Sequence, residues 1–273
     1  MGCTRGFAGP LSVGGVTMSA MNSFAAGEDL WAGRLGNLRN AVRQELIGRQ
    51  LGEHVQDGSS VLDVGCGQGT QAIRLARRGC VVVGVDPSRE LLERLTAAAL
   101  DARVQLEVHV GRIEELTAML GERAFDVVCA HGLLMYLDDP DAALAALVAR
   151  LAPGGQLSIT FRNGAALAFR PGMRRQWWAA IEAFDAQTYV NELGIDAQAQ
   201  RLEHVIGSLS RLGLAVEAWY GVRVFTEPAS GEERVDPSDL ESLLRAEEEA
   251  GRRDPYRQLA SQIHLIARQG GHR

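Results

Sequence analysis

The run Asp63-Val64-Gly65-Cys66-Gly67-Gln68-Gly69 sets three glycines at alternate positions behind an acid. Glycine adopts backbone angles closed to other residues and lets the chain pass within van der Waals reach of a ligand, so such a run suits a nucleoside. The spacing is G-x-G-x-G, whereas a dinucleotide fingerprint wants G-x-G-x-x-G, and the Gly-Lys-Ser/Thr of a phosphate loop is missing. Asp86 ends the next β-branched run, where a carboxylate can accept both hydroxyls of a ribose. Its alternative is to cap a helix starting after Pro87 and Ser88. A glycine loop alone equally fits a tight turn between strand and helix, and nicotinamide enzymes share the ribose acid. Two later stretches therefore discriminate: Gly111-Arg112-Ile113-Glu114, and Phe125-Asp126-Val127-Val128-Cys129-Ala130-His131.

These residues need a frame that brings strand ends together. From Val61 onward, short β-branched runs alternate with helical patterns, which predicts an α/β fold whose mostly parallel sheet is covered by helices on both faces. Residues 60–64, 81–85, 104–110, 126–130 and 156–161 read as strands one to five, and 71–78, 88–100, 112–120 and 140–151 as the helices between them. In the last helix Leu144, Leu147 and Leu151 share one face, and Pro153-Gly154-Gly155 reverses the chain into strand five. Helix 197–211, strands 214–225 and 261–268, and an excursion with helix 237–250 would complete a seven-stranded sheet. The expected division is a disordered extension over 1–22, N-terminal helices over 23–57, a cofactor-binding core over 58–161, an insertion or lid over 162–196, and the rest of the sheet over 197–273.

The 273 residues, 46% hydrophobic and 23% charged, suffice for such a domain with an insertion. No apolar run approaches the roughly 20 residues that span a bilayer, and the first 22 residues lack a secretory pattern, so a soluble, cytoplasmic protein is expected. Cys3, Cys66, Cys80 and Cys129 are widely spaced, which predicts reduced structural thiols and no metal site. A net charge of −6 argues against a broad nucleic-acid-binding face. One local basic patch stands out: Arg162, Arg170, Arg174 and Arg175, then Trp177 and Trp178. Helix packing is favoured over base stacking for the two tryptophans.

The glycine-rich loop, the strand-end acid, the Gly111 and His131 stretches and the Leu151-Ala152-Pro153-Gly154-Gly155 turn, in that order, resemble class I S-adenosylmethionine-dependent methyltransferases over residues 58–161. A narrower likeness lies in Gly33-Arg34-Leu35-Gly36-Asn37-Leu38-Arg39, Tyr220-Gly221-Val222-Arg223-Val224-Phe225, and Asp254-Pro255-Tyr256 followed by Gln262-Ile263-His264-Leu265-Ile266-Ala267-Arg268. In these the chain resembles the bacterial tRNA 5-carboxymethoxyuridine methyltransferases. The resemblance implies S-adenosyl-L-methionine as cofactor, with Arg39 on its methionyl carboxylate, Gly65 and Cys66 in the loop, Asp86 on the ribose, Arg112 and Ile113 around adenine, and His131 near the methionine end; Asp63 and Gly67 are expected at the cofactor as members of the loop itself.

An acceptor carboxylate is ionised at neutral pH and needs no general base, so a cation must position it. Arg223 suits that role, with Asn163 and Tyr256 as hydrogen-bonding neighbours; the alternative for Arg223 is a strand residue facing solvent between Val222 and Val224. Heavy ion pairing would blunt the nucleophile, so one arginine is expected there, not a cluster. The expected partners are tRNA or a small-molecule acid, with no membrane and no metal, in a monomer or homodimer. Methyl transfer to a small molecule's carboxylate or hydroxyl, and a non-catalytic cofactor-binding subunit, stand as alternatives.

Overall fold

The computed structural model describes residues 37–191, 194–234, 236 and 238–270. The expected disordered extension over 1–22, the segment 23–36 with Gly33 to Gly36, and Cys3 lie outside the described residues.

Among the described residues helix α1 (Leu38–His54) comes first, its start capped where the Asn37 side chain accepts from Asn40 N at 2.9 Å. Then β1 (Ser60–Val64), α2 (Thr70–Arg77), β2 (Val81–Asp86), α3 (Arg89–Ala102) and β3 (Glu107–Val110) wind one half of the sheet. The other half follows with α4 (Leu116–Leu120), β4 (Phe125–His131), α5 (Pro140–Val148) and β5 (Leu151–Arg162). After β5 come α6 (Phe169–Met173), α7 (Trp177–Ala183) and a hairpin of β6 (Thr188–Val190) and β7 (Asp196–Gln198). Last come α8 (Leu202–Arg211), β8 (Leu214–Val222), α9 (Leu240–Arg252) and β9 (Gln262–Gln269).

The main sheet has seven strands in the order β3-β2-β1-β4-β5-β9-β8, parallel except that β9 runs against both neighbours. The order reverses between β1 and β4, and a crevice at the carboxyl ends of such neighbouring strands is where this architecture binds ligands.

Strand β5 explains how the sheet divides its faces. It alternates Gln156, Ser158, Thr160 and Arg162 with Leu157, Ile159 and Phe161, and every one of them is buried. The apolar set joins Leu144 and Leu147 of α5, Leu209 of α8 and Leu265 of β9 in the main core. Each such leucine withdrawn from water contributes roughly 1.5–3 kcal/mol. The polar set lies on the opposite face, where His264 of β9 and Gln50 of α1 meet it through hydrogen bonds.

Several boundaries differ from the sequence expectation. Strand three starts at Glu107, not at 104, because Arg103 ends α3 in the left-handed conformation and the following turn takes up the slack. The helix expected over 112–120 is a 3-10 turn, Ile113–Glu115, then the short α4. Residues 197 and 198, expected to open a helix, belong to β7 and pair with β6, so α8 begins only at Leu202. The strand expected to reach 225 stops at Val222, since Arg223 takes φ +64° and turns the chain.

Candidate functional site

The glycine loop leaves β1 with Gly65, Gly67 and Gly69 all at positive φ. A side chain on Gly69 would strike Leu95, its Cβ falling 2.5 Å from Leu95 Cγ. Cys66 Sγ rests against Gly84 of β2, where an added Cβ would stand 2.9 Å away. Burial drives the Cys66 thiol well above its ordinary range, reinforced by Asp63 and Asp86. Cys66, Cys80 and Cys129 are free and buried, as expected of structural thiols.

Asp86 closes β2 and faces the loop: Gly67 N donates to its Oδ2 at 2.8 Å and Ser88 N to its Oδ1 at 2.9 Å. The cap of α3 is Ser88, whose hydroxyl accepts from Leu91 N, so capping does not account for Asp86. Asp63 is buried beside the loop, and burial, then the charge of Asp86, raise its carboxyl to about 7. Arg112 is exposed at the start of the 3-10 turn, while Ile113 is 5% exposed within the main core. His131 ends β4, with its Nε2 2.9 Å from Ser158 Oγ, and burial followed by the nearby Arg43 lowers it to about 3.

These residues fit S-adenosylmethionine. Two neighbouring carboxylates, one of them held back from ionising, favour a ligand carrying sulfonium and ammonium charges, whereas the pyrophosphate of a dinucleotide would add like charge. The left-handed glycines keep the loop free of side chains where a nucleoside must approach. The buried Nδ1 of His131 has no hydrogen-bond partner among the described residues.

A second centre adjoins the first. Arg223 does not face solvent: its side chain is 11% exposed, its Nη2 donates to Ser261 Oγ at 2.8 Å and lies 3.3 Å from Glu227 Oε2. Arg162 Nη1 donates to Glu227 Oε1 at 3.0 Å, and its guanidinium stands 4.9 Å over the Tyr189 ring. Arg170 approaches the same carboxylate at 3.9 Å, and Arg174 donates to the carbonyls of Pro228 and Ala229. Burial would raise the Glu227 carboxyl, but Arg223, Arg162, Arg170 and Arg39 bring it down to about 2. Arg39 is lowered to about 9 and Arg43 to about 10, first by burial and then by the repulsion of Arg223. The structure therefore sets Arg39 within this cationic group. Arg223, expected to stand as one arginine, lies in a cluster of them, sustained because Glu227 offsets part of its charge.

The turn bearing Arg223 and Glu227 is held from beneath. Glu247 of α9 accepts from Val224 N, Phe225 N, Thr226 N and Thr226 Oγ1 at 2.6–3.1 Å. Asn163 is spent on structure: its Nδ2 donates to Gln258 O and Ala260 O, and its Oδ1 accepts from Ala165 N. Tyr256 is 49% exposed and packs edge-on against Phe225, apart from the arginine group's contacts. Trp177 and Trp178, expected to pack, are 62% and 80% exposed. The seven-residue α7 buries only Ala180, which leaves both indoles no core to enter. Sequence reasoning missed Arg43, Glu227 and Glu247. Arg43 alone carried a signal, standing one helical turn after Arg39 on α1.

Residues 61–155 match the family model described as a methyltransferase domain. The chain is 29% identical over 237 residues to the tRNA 5-carboxymethoxyuridine methyltransferase of Escherichia coli K12, covering 85% of this chain and 88% of that protein. It is 33% identical over 158 residues to the ubiquinone biosynthesis O-methyltransferase of Xanthomonas axonopodis pv. citri, covering 55% of this chain and spanning only 64% of that relative's length. The fold is similar to that of magnesium protoporphyrin IX methyltransferase from Synechocystis PCC 6803, solved with bound SAH, at a TM-score of 0.59 and 15% identity, over 93% of this chain and 99% of that one. The seven-stranded sheet and its glycine loop give the chain the fold of the class I S-adenosylmethionine-dependent methyltransferases, and residues 61–155 within it are similar to a methyltransferase domain.

Proposed function

We propose that the protein transfers a methyl group to a carboxylate, and that its acceptor is the wobble 5-carboxymethoxyuridine of tRNA. One observation carries the carboxylate: Arg223, Arg162, Arg170 and Arg39 act on the buried carboxylate of Glu227, and Arg43 and Arg174 stand beside them. Within that group the buried Nε atoms of Arg43, Arg162 and Arg223 have no hydrogen-bond acceptor among the described residues. Burying charged donors without acceptors costs several kcal/mol, and an anionic acceptor would satisfy them. The similarity to the Escherichia coli tRNA enzyme along 88% of its length supports the finer choice. Such an acceptor places the protein in the cytoplasm.

When bound, S-adenosylmethionine supplies a methyl group on a sulfonium, an electrophile that needs no activation by acid or base. The protein's part is alignment and exclusion of water. Arg223, fixed by Ser261 and Glu227, presents a rigid fork suited to a carboxylate, and Glu227 draws enough charge from that fork to leave the acceptor nucleophilic. Arg39 and Arg43, projecting from α1, are the cations available to the cofactor's own carboxylate.

The alignment with the ubiquinone enzyme across the cofactor domain favours a second reading, in which the acceptor is a small molecule bearing a carboxylate or hydroxyl. Incubating the protein with methyl-labelled S-adenosylmethionine and cell extract, then separating RNA from metabolites, decides between them. Label in tRNA that mild alkali releases marks an ester on RNA; label confined to metabolites refutes the tRNA acceptor. No transfer to either fraction favours a non-catalytic cofactor-binding subunit. Arg223→Ala is expected to lower turnover about 100-fold, near 3 kcal/mol, while leaving SAH affinity within about two-fold.

A further inference from the structure

The buried polar face of the sheet contains a continuous chain of hydrogen bonds that no step above uses. His131 Nε2 lies 2.9 Å from Ser158 Oγ, Ser158 Oγ lies 2.8 Å from His264 Nε2, and His264 Nδ1 lies 2.8 Å from Gln50 Oε1. The chain runs from the carboxyl end of β4 through β5 and β9 to α1. Ser158, His264 and Gln50 are completely buried, and the two imidazoles meet edge to face at 5.4 Å.

The proton positions follow from one end. An amide oxygen only accepts, so His264 carries its proton on Nδ1 and leaves Nε2 bare. Ser158 has one proton, and it goes to that bare nitrogen. The oxygen of Ser158 then accepts from His131, whose proton is thereby fixed on Nε2. What remains is the Nδ1 lone pair of His131, buried and without a partner among the described residues. The positive charge of Arg43 acts on this ring and disfavours a second proton there.

We propose that Gln50, Ser158 and His264 are positioning residues that lock His131 in its Nε2–H tautomer, so that Nδ1 accepts a hydrogen bond from the ammonium group of the cofactor. The inference rests on the reading that sets the methionyl end beside the carboxyl end of β4. A lone pair calls for a donor. Of the two charged groups on that end, the carboxylate only accepts and belongs with an arginine, while the ammonium only donates.

Two measurements test this. In ligand-free protein labelled with 15N-histidine, NMR is expected to show His131 as Nε2–H and His264 as Nδ1–H, both neutral down to about pH 5. A proton on Nδ1 of His131, or a charged ring, overturns the lock, and this readout needs no variant to fold. Calorimetry with SAH is expected to show about ten-fold weaker binding for Ser158→Ala and for His131→Phe, with the double variant no weaker than about ten-fold. Losses that multiply to about 100-fold, or unchanged affinity in Ser158→Ala, would refute action through His131. Failure of the unmodified protein to take up SAH would sink the cofactor reading and the ammonium contact together. Uptake of SAH with the wrong tautomer would sink the lock alone.

Discussion

Asp63 pays for its place beside the loop in a way that titration exposes. Its carboxyl rises from an ordinary 3.8 to about 7 on folding, through burial and then Asp86. The folded protein therefore holds a proton between those values that the unfolded chain has released, and stability falls as pH rises from about 4 to about 7. Asp63→Asn is expected to gain up to about 4 kcal/mol at pH 8 and almost nothing at pH 4, read by urea denaturation at both pH values. A cation placed beside Asp63 would restore its charge, so SAH binding near pH 6.5 should release protons, measurable by calorimetry in buffers of different ionisation enthalpy. That Asp86 ends β2 beside the glycine loop was legible because the acid closes a β-branched run. Glu227 was not, since a lone glutamate between Thr226 and Pro228 has no neighbour in sequence that reveals the four arginines converging on it.

At the scale of elements, the strand and helix periods located most of the sheet, because alternating β-branched runs and leucine-rich faces are local patterns. The stretch between β5 and α8 resisted the same treatment. Its helices are five and seven residues long, too short for a period to emerge, and the β6–β7 hairpin depends on pairing across residues 191–195. Exposure of both indoles on α7 predicts that Trp177→Ala and Trp178→Ala each change stability by less than about 0.5 kcal/mol, checked by thermal melting. Helix α9 behaves oppositely. Glu247, Glu248 and Glu249 look alike in sequence, yet only Glu247 is buried, as acceptor for the turn after β8. Glu247→Gln is expected to cost at least about 2 kcal/mol and to speed amide exchange at Val224 and Thr226, as followed by mass spectrometry.

The molecule as a whole is closed by β9, which pairs with β5 on one side and β8 on the other and so joins the cofactor half to the arginine-bearing half. A close backbone contact seals that second half: Gly251 of α9 lies so near β8 that an added Cβ would stand 2.3 Å from Gly221 O. Gly251→Ala is expected to destabilise the fold by about 1–3 kcal/mol, seen as a lower urea midpoint. The thiol of Cys66, wedged over Gly84 and kept protonated by its surroundings, also reports on the whole assembly. An alkylating reagent needs the thiolate in contact with solvent, which the closed sheet denies it. The rate at which iodoacetamide marks the Cys66 peptide thus becomes a clock for the parting of β1 from β2, and any ligand that seats in the crevice should slow it.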